Sequence, residues 1–280
     1  MKKISLNDLP RYSPWPDRLL GLSDFKRPHR SIEKIDAEYD KDKYAKCLEF
    51  IDGSTEPQSP EQVKLFEFRV PRNSDICVSI GEDLFLTTLA DARKRYYSLL
   101  VDSMADAIEV SDCVLELGCG YGFNLWVLKQ AFPEKNFYGG EYSTNAVRIA
   151  ERLFSGDPSI VVGGFNYYDQ EYDFASLTGS IVVFTSHSIE QLPTALHAIE
   201  AISRVQGVRS VFHFEPVAEL YSDTMLGYLR KSYAAANDYN RDLLDSVCCA
   251  GGVVGRTTAD VFGMNPLNPT SIIQWSPSKT

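Results

Sequence analysis

The segment Val114-Leu-Glu-Leu-Gly-Cys-Gly-Tyr-Gly-Phe-Asn124 limits the possible folds more than any other part of this 280-residue chain. It leaves an apolar run, passes through glycines at every second position (Gly118, Gly120, Gly122) and enters a helical pattern at Phe123. Glycine permits a sharp turn and lets a ligand approach the main chain closely, and the helix that follows presents free N–H groups at the same spot. Such a strand-turn-helix unit opens an α/β sheet at its ligand-binding end.

The downstream pattern agrees. Apolar runs over 113–117, 136–140, 160–162, 181–185 and 208–214 read as strands, with helical patterns over 123–132, 144–154 and 194–203 between them. The interval 166–179 has a weaker pattern. This alternation favours a parallel sheet covered by helices on both faces. A long helix is expected over 217–247, then two strands over 253–262 and 271–275, joined by Asn265-Pro-Leu-Asn-Pro269 as antiparallel neighbours.

Residues 1–110 read as a separate, mostly helical region. Ser31 caps a helix over 31–51, with Ile32, Ile35, Tyr39, Cys47, Leu48 and Ile51 mostly on one face. Gly53, Pro57 and Pro60 break it. Residues 65–80 read as loop or short strand, and a second helix is expected over 86–108. The domain reading is therefore a helical lid over 1–110 and an α/β domain over 111–280.

Two carboxylates flank the glycine turn. Glu116 precedes it by two residues, where it would repel a pyrophosphate and suit a cationic ligand. Glu141 ends the second strand 19 residues after Gly122, where an acid that binds ribose hydroxyls is expected. The pattern resembles the class I S-adenosylmethionine-dependent methyltransferases, whose motif is an E/D-x-G-x-G-x-G loop after the first strand and an acid after the second. The resemblance spans about residues 110–275.

The resemblance implies a doubly wound, mostly parallel seven-stranded sheet with an antiparallel C-terminal strand inserted in it. It also implies S-adenosylmethionine as cofactor; no metal is expected, because a sulfonium is already activated and the Cys and His positions offer no ligand cluster. Gly118, Gly120 and Gly122 would line the methionine part, Glu116 would reach its amino group, and Glu141 would hold the ribose. Tyr142 would pack on the adenine. Where the family commonly has an acid after the third strand, this chain has Phe165-Asn-Tyr-Tyr168, so Phe165 would stack and Asn166 would accept from the adenine amine.

The reacting end should lie at the carboxyl end of the fourth strand, in Phe184-Thr-Ser-His-Ser-Ile-Glu-Gln-Leu-Pro193. Methyl transfer from a sulfonium is an in-line displacement in which the protein aligns and deprotonates the nucleophile. His187 suits the base, having an ordinary pKa near neutrality. Glu190 and Gln191 are placed to read a polar substrate, and Glu190 could equally cap a helix beginning near Pro193. Glu215, ending the fifth strand, joins the same rim or caps the helix after it. Tyr239 and Asn240 are candidate substrate contacts.

Charge and composition narrow the partners. Twenty-eight Lys+Arg against 38 Asp+Glu give a net charge of −10, which argues against a nucleic-acid surface, and the Asn/Asp-Pro-Pro-Tyr/Phe loop of amino-methylating nucleic-acid enzymes is absent. No apolar run approaches the roughly 20 residues of a membrane span. Six cysteines without a C-x-x-C pair, and an N-terminus without an apolar h-region, point to a reduced cytoplasmic setting. The expected activity is methyl transfer to a small polar molecule: an amino acid, a sugar or a natural-product intermediate. Two other readings stay open, a cyclase that consumes S-adenosylmethionine and releases methylthioadenosine with a small ring amino acid, and a non-catalytic cofactor-binding protein. Nothing in the sequence indicates an oligomeric state.

Overall fold

The computed structural model describes residues 1–25, 31–168 and 177–278. The N-terminal region contains β1 (Lys2–Ile4), α1 (Trp15–Leu19), α2 (Ile32–Glu38), α3 (Ala45–Asp52), α4 (Pro60–Phe68), β2 (Asp75–Ile80), β3 (Asp83–Thr88) and α5 (Leu89–Glu109). The α/β region follows with β4 (Cys113–Leu117), α6 (Phe123–Ala131), β5 (Asn136–Glu141), α7 (Thr144–Leu153), β6 (Ile160–Gly164), β7 (Ile181–Ser186), α8 (Leu196–Arg204) and β8 (Val208–Glu215). It ends with α9 (Met225–Ala236), α10 (Leu243–Cys249), β9 (Val253–Phe262) and β10 (Thr270–Ser276).

Every residue of β4 is buried, because the strand is covered on both faces. Val114 joins Phe137, Val182, Phe184, Phe212 and Phe214 in the core on one side. Cys113, Leu115 and Leu117 join Ile181, Val183, Val211 and Trp275 on the other. The period-two alternation puts Glu116 on the same face as Val114. The seven strands run in the order β6-β5-β4-β7-β8-β10-β9, parallel from β6 to β8, with β10 antiparallel to both β8 and β9. The expected doubly wound sheet with an inserted antiparallel strand is what the chain forms. Strand order reverses between β4 and β7, so their carboxyl ends border the crevice where ligands bind in such sheets.

The N-terminal region departs from the helical expectation. β1, β3 and β2 form a three-stranded antiparallel sheet, and Ile80 pairs with Asp83 across a two-residue turn in which Gly81 has φ +55°. Leu86 therefore belongs to β3, and α5 starts only at Leu89, where Thr88 caps it by accepting from the Asp91 N–H. The helix expected over 31–51 is interrupted. Ser31 caps α2 as expected, but residues Tyr39–Tyr44 form a π turn before α3.

The helix expected over 217–247 is also broken. The chain leaves α9 through Asp238, whose φ is +57°, before α10 begins. α9 carries Arg230, which is fully buried. Its guanidinium donates to Asp260 Oδ2 at 2.7 Å, Glu82 Oε1 at 3.1 Å and the carbonyls of Gly81 and Pro266 at 2.8 and 3.1 Å. One side chain thus ties the β2–β3 turn, β9 and the loop before β10 together. Paired backbone hydrogen bonds between Ser79 and Gly263 continue the small sheet into that loop.

Candidate active site

The turn after β4 takes its shape from three glycines at positive φ, 72° at Gly118, 57° at Gly120 and 82° at Gly122. What fills the space beside each differs from the expectation that all three open onto a ligand. A Cβ on Gly118 would stand 2.4 Å from Ser188 Cβ, one on Gly120 would stand 2.6 Å from the Tyr44 hydroxyl, and one on Gly122 would press on Phe154 and Val162. Gly122 thus serves close packing of helix on sheet and does not line the cavity.

Glu141 locks the turn from below. Its Oε2 accepts from the Gly120 N–H at 2.7 Å and its Oε1 from the Ser143 N–H at 2.8 Å. Burial raises its pKa although these N–H donors oppose the shift. Glu116 is buried beside it and accepts from Asn124 Nδ2 at 2.6 Å through Oε1 only. Its Oε2 has no partner among the described residues. Burial pushes its carboxyl well above the usual range, the Asn124 bond offsets part of that, and the Glu141 charge adds to it.

The N-terminal region forms the roof. Asp40, in the π turn, accepts from Ser143 Oγ at 2.5 Å and from the Asn145 N–H at 2.9 Å, so it caps α7 from another segment. Tyr44 lies over Gly120. Glu67 of α4 receives Lys43 at 2.6 Å, Lys64 at 2.9 Å and the Tyr121 hydroxyl at 2.9 Å, joining the roof to the glycine turn. Burial alone would raise the Glu67 pKa, but Lys64 and Lys43 outweigh it and hold the carboxyl well below its usual range. Asp40→Ala is expected to lower stability by about 1 kcal/mol, as loss of a helix cap does. Amide exchange should then speed up across residues 32–52 and not in α6.

Strand β7 delivers the far end. His187 has φ +52°, unusual for a side chain of its size, and its N–H donates to the Phe214 carbonyl. Its Nε2 lies 2.8 Å from Thr270 Oγ1 and its Nδ1 3.4 Å from Glu190 Oε2. Burial would lower its pKa, but the Glu190 hydrogen bond and charge, with a smaller effect of Glu215, raise it above the ordinary value of 6.5.

One cavity of about 440 Å³ gathers most of the expected residues. Glu116, Gly118, Gly120, Glu141, Tyr142, Phe165, Asn166, His187, Glu190 and Gln191 all border it. That volume lies within the range of small-molecule pockets. Among the described residues, no group of three or more His, Cys, Asp or Glu is placed to hold a metal ion. No helix among them is long and apolar enough to cross a membrane.

Neither family models nor curated protein sequences match this chain. Solved structures do. Magnesium protoporphyrin IX methyltransferase from Synechocystis PCC 6803, with bound SAH, superposes at a TM-score of 0.52 and 15% identity over 88% of this chain and 100% of that one. Geranyl diphosphate C-methyltransferase from Streptomyces coelicolor A3(2), in complex with Mg2+, geranyl diphosphate and S-adenosyl-L-homocysteine, does so at 0.50 and 12% over 66% of this chain and 80% of that one. The chain has the class I methyltransferase fold.

Set on that fold, several sequence expectations move. Glu190 caps no helix, because α8 starts only at Leu196 and Asp242 supplies its N-terminal acceptor, to the Ala195 N–H at 3.0 Å. Glu215 does not line the cavity. It accepts from the Ser188 and Ile189 N–H groups at 3.0 and 3.2 Å, capping the turn before it in space and not the helix after it in sequence. Burial, reinforced by Glu190 and opposed by His187, lifts its pKa to about 7. Tyr239 and Asn240 also lie outside the cavity lining. Tyr239 packs on Tyr233, and Asn240 Nδ2 donates to the Ile189 carbonyl from behind the turn. Asn166 Oδ1 accepts from the Tyr168 N–H at 3.0 Å. Expectations that fall on 169–176, within the weakly patterned interval, lie outside the described residues.

Sequence reasoning missed the roof residues Tyr39, Lys43, Tyr44, Lys64 and Glu67, the side wall Tyr96, and Asn268 and Thr270 at the far end. One signal was legible for the last pair, since the Pro-rich turn places them at the start of β10.

Proposed function

We propose that the chain is an S-adenosylmethionine-dependent methyltransferase acting on a small polar molecule. The observation that carries this reading is Glu116 Oε2, a buried carboxylate oxygen with no partner among the described residues, on a side chain that borders the cavity next to the glycine turn. A buried charge wants an opposite charge with N–H donors. The ammonium of the cofactor's methionine part supplies both. Glu141 would take the ribose hydroxyls on lone pairs that the two backbone N–H groups leave free, and Phe165 and Tyr142 would wall the adenine. The two fold relatives are methyltransferases with the demethylated cofactor bound, which supports the same assignment.

When bound, the cofactor supplies a sulfonium methyl group already activated for displacement. The remaining work falls to the chain. The roof around Tyr44 and Glu67 excludes water, and the rim of His187, Glu190 and Gln191 holds the acceptor and takes up its proton. Two carboxylates at the cofactor end and a polar far wall with one carboxylate, Glu190, suit a compact substrate with hydroxyl or amine groups.

Calorimetry with S-adenosylhomocysteine tests the binding half. Gly120→Val should abolish binding, because a branched side chain at φ +57° must displace Tyr44 and the roof. Glu141→Ala should weaken it by roughly 1–3 kcal/mol, the range for removing a buried charged hydrogen-bond partner. Wild-type affinity in both variants overturns the assignment. Incubation with S-adenosylmethionine and identification of the nucleoside product tests the chemistry. Adenosylhomocysteine in the presence of an accepted substrate supports methyl transfer, whereas methylthioadenosine from the cofactor alone replaces it with ring closure of the methionine part.

A further inference from the structure

At the far end of the cavity, one carboxylate fixes the orientation of two amides. Gln191 Nε2 donates to Glu190 Oε1 at 2.9 Å, and Asn268 Nδ2 donates to Glu190 Oε2 at 3.0 Å. A carboxylate only accepts, so each amide turns its NH2 group toward Glu190 and its carbonyl away. The two carbonyl oxygens, Gln191 Oε1 and Asn268 Oδ1, are buried and have no partner among the described residues. Glu190, Gln191 and Asn268 are exposed by only 5, 6 and 8% and all border the cavity.

The arrangement is held from outside. Asn240 donates its N–H to the Glu190 carbonyl at 3.1 Å and its side chain to the Ile189 carbonyl, which fixes the turn that carries Glu190 and Gln191. Arg230, through the Pro266 carbonyl, fixes the loop that carries Asn268. Two separate segments are thus braced around one carboxylate, and each brings a buried, unpartnered amide oxygen to the cavity lining with one of its N–H donors used.

We propose that this amide pair is the subsite for a primary amino group of the substrate, an inference that rests on the transferase reading above. Buried acceptors are unfavourable until donors reach them, and two acceptors call for two donors from one ligand. An alcohol brings one. A carboxylate or phosphate brings none and meets two carbonyl lone pairs backed by the Glu190 charge. An amine brings two N–H groups and an ammonium three, and the Glu190 charge behind the amides strengthens both contacts. The substrate class is therefore a small molecule with an unhindered primary amine, and Glu190 is a positioning residue that acts through the two amides.

Saturation-transfer NMR on the full chain, saturated with S-adenosylhomocysteine, tests this with n-butylamine, n-butanol and butyrate as probes of matched length. The amine alone should give a signal. Gln191→Leu should weaken amine binding by about tenfold, the size of one ordinary hydrogen bond, while S-adenosylhomocysteine affinity and the thermal midpoint stay put. Asn268→Leu reads the same effect where Gln191→Leu does not fold. Glu190→Gln, which replaces one acceptor oxygen by an NH2 group and so turns one of the two amides over, should erase the preference for amine over alcohol. Equal binding of the alcohol or the carboxylate, silence from all three probes, or unchanged amine binding in the folded Leu variants overturns the subsite. Failure of the wild-type chain to bind S-adenosylhomocysteine overturns the transferase reading instead, whereas cofactor binding without amine preference overturns the subsite alone.

Discussion

Arg230→Ala should lower the folding stability by about 3–5 kcal/mol, the range for breaking a buried ion pair from one side. Arg230 is fully buried, and its removal leaves Asp260 charged and the Gly81 and Pro266 carbonyls without their donor. The pH dependence distinguishes this from simple loss of packing. Burial already raises the Asp260 pKa, with Arg230 acting to lower it, so the variant raises it further. A carboxyl whose folded pKa lies above its unfolded one favours folding at low pH and loses that contribution as pH rises through the folded value. The deficit of the variant should therefore be full at neutral pH and shrink on acidification through the raised Asp260 pKa. Urea unfolding at two or more pH values measures it. Arg230→Met combined with Asp260→Leu should recover most of the loss, because a buried pair replaced by apolar groups of similar size is close to neutral. A deficit below about 1 kcal/mol that does not change with pH would mean that the cluster behaves as a solvated surface pair.

The same arginine shows where the sequence stops being legible. β4 and β9 fall where their short runs of strand-forming residues put them, and for β4 the nearly continuous apolar run reports a strand covered on both faces. The three-stranded sheet was hidden for two reasons. The Gly81-Glu82 turn that closes its hairpin is only two residues long, and Leu86, Leu89 and Tyr96 make a plausible helical stripe across a boundary that the Thr88 cap sets. In the site, Glu116 and Glu141 were legible because one lies in the strand before the glycine turn and the other ends the next strand of the same strand-helix-strand unit. Tyr44 was not, since a π turn rotates it over Gly120 from 76 residues away. Asn268 gains meaning only beside Glu190, and no local pattern connects the two. Tyr239 and Asn240 misled for the opposite reason. They are polar and aromatic as a substrate site is, but after the break that follows α9 Tyr239 packs on Tyr233 and Asn240 braces the site from behind.

His187→Ala should slow turnover of the accepted substrate by about 10²-fold or more, the lower range for loss of a positioned base. Both ring nitrogens are engaged within the protein, which limits the route by which the proposed base could take up a proton. Glu190 accepts from Nδ1, so in the neutral ring Nε2 is the acceptor, and it lies 2.8 Å from Thr270 Oγ1. If His187 is the base, a proton leaving the acceptor group reaches the ring through the Thr270 hydroxyl, which takes it at Oγ1 while passing its own proton to Nε2. Thr270→Val keeps the ring in place, removes the relay, and should reproduce the rate loss of His187→Ala with cofactor affinity unchanged. The base works only when neutral, and Glu190 holds its pKa above the ordinary 6.5 despite burial, so the wild-type rate should climb with pH through a midpoint above that value and then level off. Both variants should lose that limb. A histidine that merely held the fold would lower the thermal midpoint and leave the shape of the pH profile intact. Near-full turnover in a well-folded His187→Ala protein would instead leave alignment by Glu190 and its two amides as the whole contribution of the far end.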